Sequence, residues 1–200
     1  MINKIKNIHC LALNYKGVGN IKQKPLYFVK SLNTLVNNNS RIAYPKNTTK
    51  LWTEVELAII INKDCQNVSV SDANNYIGGI TVACDMTREN IEGRDHHLGY
   101  SKSITGFCPI LDKIIHVDDL DLNNVKLTTK INGITTQMGN TKDMVYNVQK
   151  SISYISSFTK LRQYDIILTG TPSGVENNVI KKGDNVIATL NDLSLNFDII

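Results

Sequence analysis

At 200 residues the chain has the length of one domain able to bury a substantial core, and its apolar content of 42% lies near the globular range. A formal charge of +4, spread over scattered lysines without a basic block or an aromatic-rich basic stripe, argues against a nucleic-acid partner and for a small-molecule one. Charge interrupts Met1-Ile2-Asn3-Lys4-Ile5-Lys6 too early for a secretory core, and no window approaches transmembrane length, so the expectation is a cytoplasmic protein with no membrane partner.

From Ile5 to Asn14 the pattern suits a short apolar strand, ending in the turn-rich loop Asn14-Tyr15-Lys16-Gly17-Val18-Gly19-Asn20. Pro25 to Lys30 reads as a second strand, and Lys30 at its end is either surface charge or a hold for an anionic substrate. Cys10, Cys65, Cys84 and Cys108 are widely spaced with no C-x-x-C pair, and read as buried free thiols.

Trp52 to Ile61 is an apolar run carrying two carboxylates one residue apart. Alternation along a strand sends Glu54 and Glu56 to one face and Val55, Leu57, Ile59 and Ile61 to the other. Two acids side by side repel, and that repulsion raises a pKa or calls for a cation such as Mg²⁺ or Mn²⁺. The alternative is a solvent-facing polar stripe on an antiparallel strand.

Ser69 and Asp72 have the spacing of a helix start, predicting a short helix through Tyr76 that Gly78-Gly79 stops. Ile80 to Cys84 is β-prone and delivers Asp85 at its far end. The polar stretch from Met86 to Ser101, with Arg88, Glu89, Glu92, Arg94, Asp95, His96 and His97, predicts an exposed helix or loop. Lys102 then stands out in a segment of small residues.

Asn132-Gly133 is a strong hairpin turn between Lys126–Ile131 and the returning Ile134–Gln137. Val145, Val148, Ile152, Ile155 and Phe158 predict an amphipathic helix over Asp143 to Phe158, packed on a sheet. Tyr164 to Leu168 is a buried strand. It opens into Thr169-Gly170-Thr171-Pro172-Ser173-Gly174-Val175, a loop that is either a plain turn or a carboxylate receptor built from backbone N–H groups and threonine hydroxyls. A closing hairpin follows, Asn185 to Leu190 and Leu193 to Ile199 around Asn191-Asp192.

Glu54-Val55-Glu56-Leu57-Ala58, Asp85, Lys102 before Gly106-Phe107-Cys108-Pro109, Ile131-Asn132-Gly133, Gly139 to Met144, and above all Ile167 to Val175 together resemble the fumarylacetoacetate hydrolase family. The resemblance covers nearly the whole chain and keeps the order of the motifs. It implies an α+β, β-rich mixed sandwich roll with one main helix, a single catalytic domain over 1–200 with a lid-like loop within 1–50, and a homodimer. It also implies Mg²⁺ or Mn²⁺ held by Glu54, Glu56 and Asp85, a catalytic Lys102, and substrate-binding roles for Thr171, Gly170, Gln137 and Lys30.

The implied substrate is a small 2-oxo acid, an acylpyruvate, fumarylpyruvate or an oxaloacetate-like acid, whose carbonyl a chelating metal polarises. C–C hydrolysis or decarboxylation is the first expectation. Keto–enol tautomerisation, or metal and dicarboxylate binding without turnover, is the alternative. Three departures bear on that choice. The histidine and glutamate that activate water in hydrolytic members have no counterpart after Asn14-Tyr15, which leaves His96 or His97 as a substitute base. Thr53 stands where a histidine or aromatic residue is frequent. In Thr87-Arg88-Glu89-Asn90 the arginine falls one position early, short of the substrate.

Overall fold

The computed structural model describes residues 2–18, 22–90, 93 and 95–200. In chain order its elements are β1 (Ile8–Ala12), β2 (Leu26–Lys30), β3 (Leu35–Val36), β4 (Ser40–Ile42), β5 (Leu51–Ile61), β6 (Ile77–Arg88), α1 (Gly99–Lys102), β7 (Cys108–Pro109), β8 (Lys126–Ile131), β9 (Ile134–Asn140), α2 (Val148–Ser156), β10 (Ile166–Leu168), β11 (Val179–Ile180), β12 (Asn185–Leu190) and β13 (Leu193–Ile199). One sheet runs β11-β5-β10-β1-β2, with β6 also paired to β5, and a second runs β4-β13-β12-β8-β9. Strands β3 and β7 form a small parallel pair. The architecture is the expected β-rich one, and no helix among the described residues is long and apolar enough to cross a membrane.

Strand β5 is the hub, because both of its faces are buried. Val55, Leu57, Ile59 and Ile61 join a large cluster with Val82, Cys84 and the inward side chains of β12 and β13. Ala58 and Ile60 point the other way, into a smaller cluster with Ile8, Cys10, Ala83, Ile110 and Leu168. Each such aliphatic side chain contributes about 1.5–3 kcal/mol when taken fully out of water. Glu54 and Glu56 continue the second face, so the solvent-facing stripe is excluded: Glu56 is 1% exposed.

Asp85 does not end its strand. β6 runs on through Thr87 and Arg88, both buried, so the aspartate sits within the β5–β6 pairing, directly opposite Glu54. Gly78 and Gly79 lie inside β6 and stop no helix. The segment before them is a 3₁₀ turn at Ala73–Tyr76, and Ser69 instead accepts the Asp72 N–H at 3.1 Å in a separate turn.

Helix α2 is shorter than its pattern suggested. Asn147 caps it by accepting the Lys150 N–H at 3.0 Å, while residues 141–143 form their own 3₁₀ turn under Asn140. Val148, Ile152 and Ile155 are core as expected, but Phe158 lies beyond the helix and is exposed. Both hairpins hold, the first with Asn132 and Gly133 at positive φ of 50° and 82°. All four cysteines are free and buried.

Gly139 on β9 is where the second sheet meets the loop after β10. A Cβ there would lie 2.3 Å from the Cβ and Cγ of Pro172. Gly139→Ala is therefore expected to lower stability by about 1–3 kcal/mol through overpacking, read as a lower urea midpoint with an unchanged m-value.

Candidate functional site

The β5–β6 register places Glu54, Glu56 and Asp85 with ligand oxygens all within 4.8 Å of one another. Directly opposed like charges destabilise a sheet pair, and two buried lysines answer them. Lys102 donates to Asp85 Oδ2 at 2.6 Å, to Glu54 Oε1 at 3.1 Å and to Thr87 Oγ1 at 2.7 Å. Lys30 is not surface charge. Its side chain is fully buried and forms an ion pair with the other oxygen of Asp85.

Burial works against both the carboxylates and the ammoniums, and their mutual charges decide the outcome. Burial alone would raise Asp85, but Lys102 and Lys30 overcome it and hold its pKa below the usual range. Burial disfavours the Lys102 ammonium, yet Asp85 and Glu54 more than compensate and keep it firmly protonated. Glu56 touches neither lysine. Burial first, then Asp85 and Glu54, push its pKa well above the ordinary carboxylate value, despite a 2.5 Å hydrogen bond from the Gly170 N–H.

Three carboxylates against two ammoniums leave one formal negative charge in a buried pocket, with Glu56 the acid in need of a proton or a cation. An all-oxygen donor set of this kind suits a hard divalent ion such as Mg²⁺ or Mn²⁺. The residues present therefore fit the implied metal.

The loop after β10 forms the opposite wall. Thr169 ties it to β5, its N–H and hydroxyl both donating to Leu57 O at 3.1 and 2.9 Å. Gly170 holds φ +89°, with its would-be Cβ 3.0 Å from Leu11 O, and its N–H is committed to Glu56. The Gln137 amide donates to Thr171 Oγ1 at 3.0 Å and Pro172 O at 2.7 Å and accepts from Asn178, so it orients Thr171 from behind.

A cavity of about 390 Å³ opens above this floor. Glu54, Thr87, Lys102 and Thr171 supply its polar base, and Leu13, Leu26, Leu98 and Val175 an apolar rim. Arg88 also lines it, although its position in the sequence is one earlier than the resemblance leads one to expect. The guanidinium carbon lies 3.3 Å from the centroid of the Tyr100 ring, and Nε donates to Tyr100 O at 3.0 Å. His96 and His97 are exposed, and Leu98, not they, faces the cavity. The Gly19-Asn20 end of the expected lid, and Glu92 and Arg94, lie outside the described residues.

Three contributors escaped the sequence reading. Trp52 Nε1 and Thr87 Oγ1 donate to Glu54 Oε1 at 2.9 and 2.8 Å, and each lies two residues from a carboxylate on the same strand face, a signal that alternation carries. Asn14, fully buried, clamps Thr169 O at 2.8 Å and the Tyr146 backbone N–H at 2.8 Å, for which no local pattern exists.

The family model described as fumarylacetoacetate (FAA) hydrolase C-terminal matches residues 7–196. An oxaloacetate tautomerase, fahd-1, mitochondrial, of Caenorhabditis elegans is 36% identical over 199 residues, 95% of this chain and 92% of the relative. An oxaloacetate decarboxylase, mitochondrial, of Dictyostelium discoideum is 36% identical over 94% of this chain and 89% of its own. The crystal structure of 2-hydroxyhepta-2,4-diene-1,7-dioate isomerase from Mycobacterium marinum superposes with a TM-score of 0.89 at 30% identity, covering 98% of this chain and 75% of that one.

Because Lys102 holds oxygens that a cation needs, Lys102→Met is expected to bind Mn²⁺ more tightly, by at least about tenfold for one removed positive charge at contact range. Glu56→Gln should weaken binding by at least about a hundredfold. Titration followed by the Mn²⁺ electron paramagnetic resonance signal checks both.

Proposed function

The chain belongs to the fumarylacetoacetate hydrolase family, and from that premise we propose that it is a single-domain, metal-dependent enzyme that tautomerises an oxaloacetate-like 2-oxo dicarboxylic acid. The observation that carries this reading is the cavity lining, whose titratable groups among the described residues are Glu54, Arg88 and Lys102. Hydrolysis of a C–C bond needs a positioned base to take a proton from water. Tautomerisation needs a proton moved between carbon and oxygen, and one well-placed acid is sufficient for that.

Mg²⁺ or Mn²⁺ held by Glu54, Glu56 and Asp85 would supply Lewis-acid polarisation of the 2-oxo group. Lys102, protonated through its pairing with Asp85 and Glu54 and freed for donation where a cation would take those oxygens, gives a proton to carbon 3 of the enol and recovers one from the enol hydroxyl; the reverse sequence runs from the ketone. Thr171, its hydroxyl oriented by Gln137, receives the carboxylate next to the carbonyl. Arg88, stacked on Tyr100, presents its guanidinium to the distal carboxylate. Lys30 favours an anionic substrate through its charge behind the floor, and Gly170 acts by fixing Glu56.

Decarboxylation is the second reading. It uses the same polarised carbonyl and the same proton donor at carbon 3, and the name of the Dictyostelium relative favours it. The names of both curated relatives support oxaloacetate as the substrate class.

Proton NMR with Mg²⁺ and oxaloacetate is the test. Accelerated keto–enol exchange that disappears in Glu54→Gln is the expected result. Pyruvate appearing faster than in buffer would replace it with the decarboxylase reading, and cleavage of an acylpyruvate with the hydrolase one. Arg88→Ala should raise the KM for oxaloacetate about tenfold, the loss of one charge-assisted contact, with a smaller effect on kcat.

A further inference from the structure

A second cavity, of about 730 Å³, lies on the other side of the β1–β2 pair and shares no lining residue with the first. His9 and Tyr27 project into it from adjacent strands, whereas Cys10, Phe28 and Lys30 point toward the smaller core and the carboxylates. Alternation thus separates the two sites while they share a backbone.

The floor is a built polar relay. Asp165, fully buried, accepts from Asn7 Nδ2 at 2.8 Å and from the Arg162 backbone N–H at 2.7 Å. Its second oxygen also meets His9 Nε2 at 3.2 Å, and His9 Nδ1 meets the Tyr27 hydroxyl at 2.9 Å. This chain of contacts fixes the Tyr27 ring, which Phe158 abuts edge-on at 4.9 Å. None of it touches the metal-binding carboxylates or any group used above.

The walls are of two kinds. Lys6, Lys160 and Arg162 bring positive charge to one side. Lys160 is paired with Asp64 at 3.0 Å, Lys6 also lies within electrostatic reach of that carboxylate, and the Arg162 side chain forms no ion pair among the described residues. On the other side Val29 and Leu32 are 56% and 46% exposed, an apolar ledge beside the Tyr27 ring. Exposed cations facing an uncovered apolar shelf across a hydrogen-bonded polar floor make a recess for a molecule with two matching ends.

We infer that this recess is a second small-molecule site, for an organic anion whose carboxylate meets Lys6 and Arg162 and whose apolar body lies on Tyr27, Val29 and Leu32. Benzoate is a simple probe of that chemistry, and inorganic phosphate tests charge alone. Both are titrated into the Glu54→Gln protein, so that failure of the tautomerase reading leaves this experiment intact. The readout is the imidazole ¹H–¹⁵N spectrum of His9.

Benzoate is expected to shift the His9 signals saturably, phosphate to bind more weakly, and Lys6→Ala with Arg162→Ala to lower benzoate affinity about tenfold per cation removed. Both substitutions are at exposed side chains, so the fold is retained. An unmoved His9 signal, unchanged affinity in the double variant, or phosphate binding as tightly as benzoate would each overturn the proposal.

Discussion

Everything at the candidate active site follows from placing two acidic residues opposite one another in a sheet pair that is buried on both faces. Glu54 and Asp85 face each other across β5 and β6, with Glu56 one step along. Water cannot dissipate that charge, so the chain must, and Lys30 and Lys102 do so from β2 and α1. The compensation is incomplete by one charge. A fully matched set would leave little reason to bind a cation, whereas an uncompensated trio would weigh heavily against folding. The arrangement lies between these limits, and the Gly170 N–H holds the least compensated carboxylate in position.

The same arrangement ties metal binding to lysine chemistry. Lys102 holds Asp85 and Glu54 oxygens that a cation at this site would take, so binding one would free the ammonium. Held by both carboxylates the ammonium is a weak acid; a cation that took those oxygens would leave it a stronger one, able to deliver a proton to carbon.

Much of this was legible in the sequence, and the reasons differ by element. Period-two alternation gave the shared face of Glu54 and Glu56, and the Asn-Gly turn gave the first hairpin, because both signals are local. The position of Asp85 was misjudged because polar Thr87 and Arg88 read as the end of a strand, while tertiary packing buries them as its continuation. Counting along the chain gave the position of Arg88 but not its partner: Tyr100, twelve residues on, folds back beneath its guanidinium. Helix α2 was overextended because Val145 and Phe158 keep the apolar rhythm although Asn147 caps the helix after one and the other lies past its end. Lys30 and Asn14 act through contacts 55 and 155 residues away, which no window of sequence contains.

Gln137 and Gly139 belong to β9, the outer strand of the second sheet, yet they set the shape of the loop that carries Thr171. The carboxylate trio, in contrast, is assembled wholly within the first sheet. The two halves of the site therefore rest on different sheets: the first gathers the acids, and the second aims the Thr171 hydroxyl through Gln137. Loosening the contact between the sheets would therefore disturb the hydroxyl and leave the acids where they are.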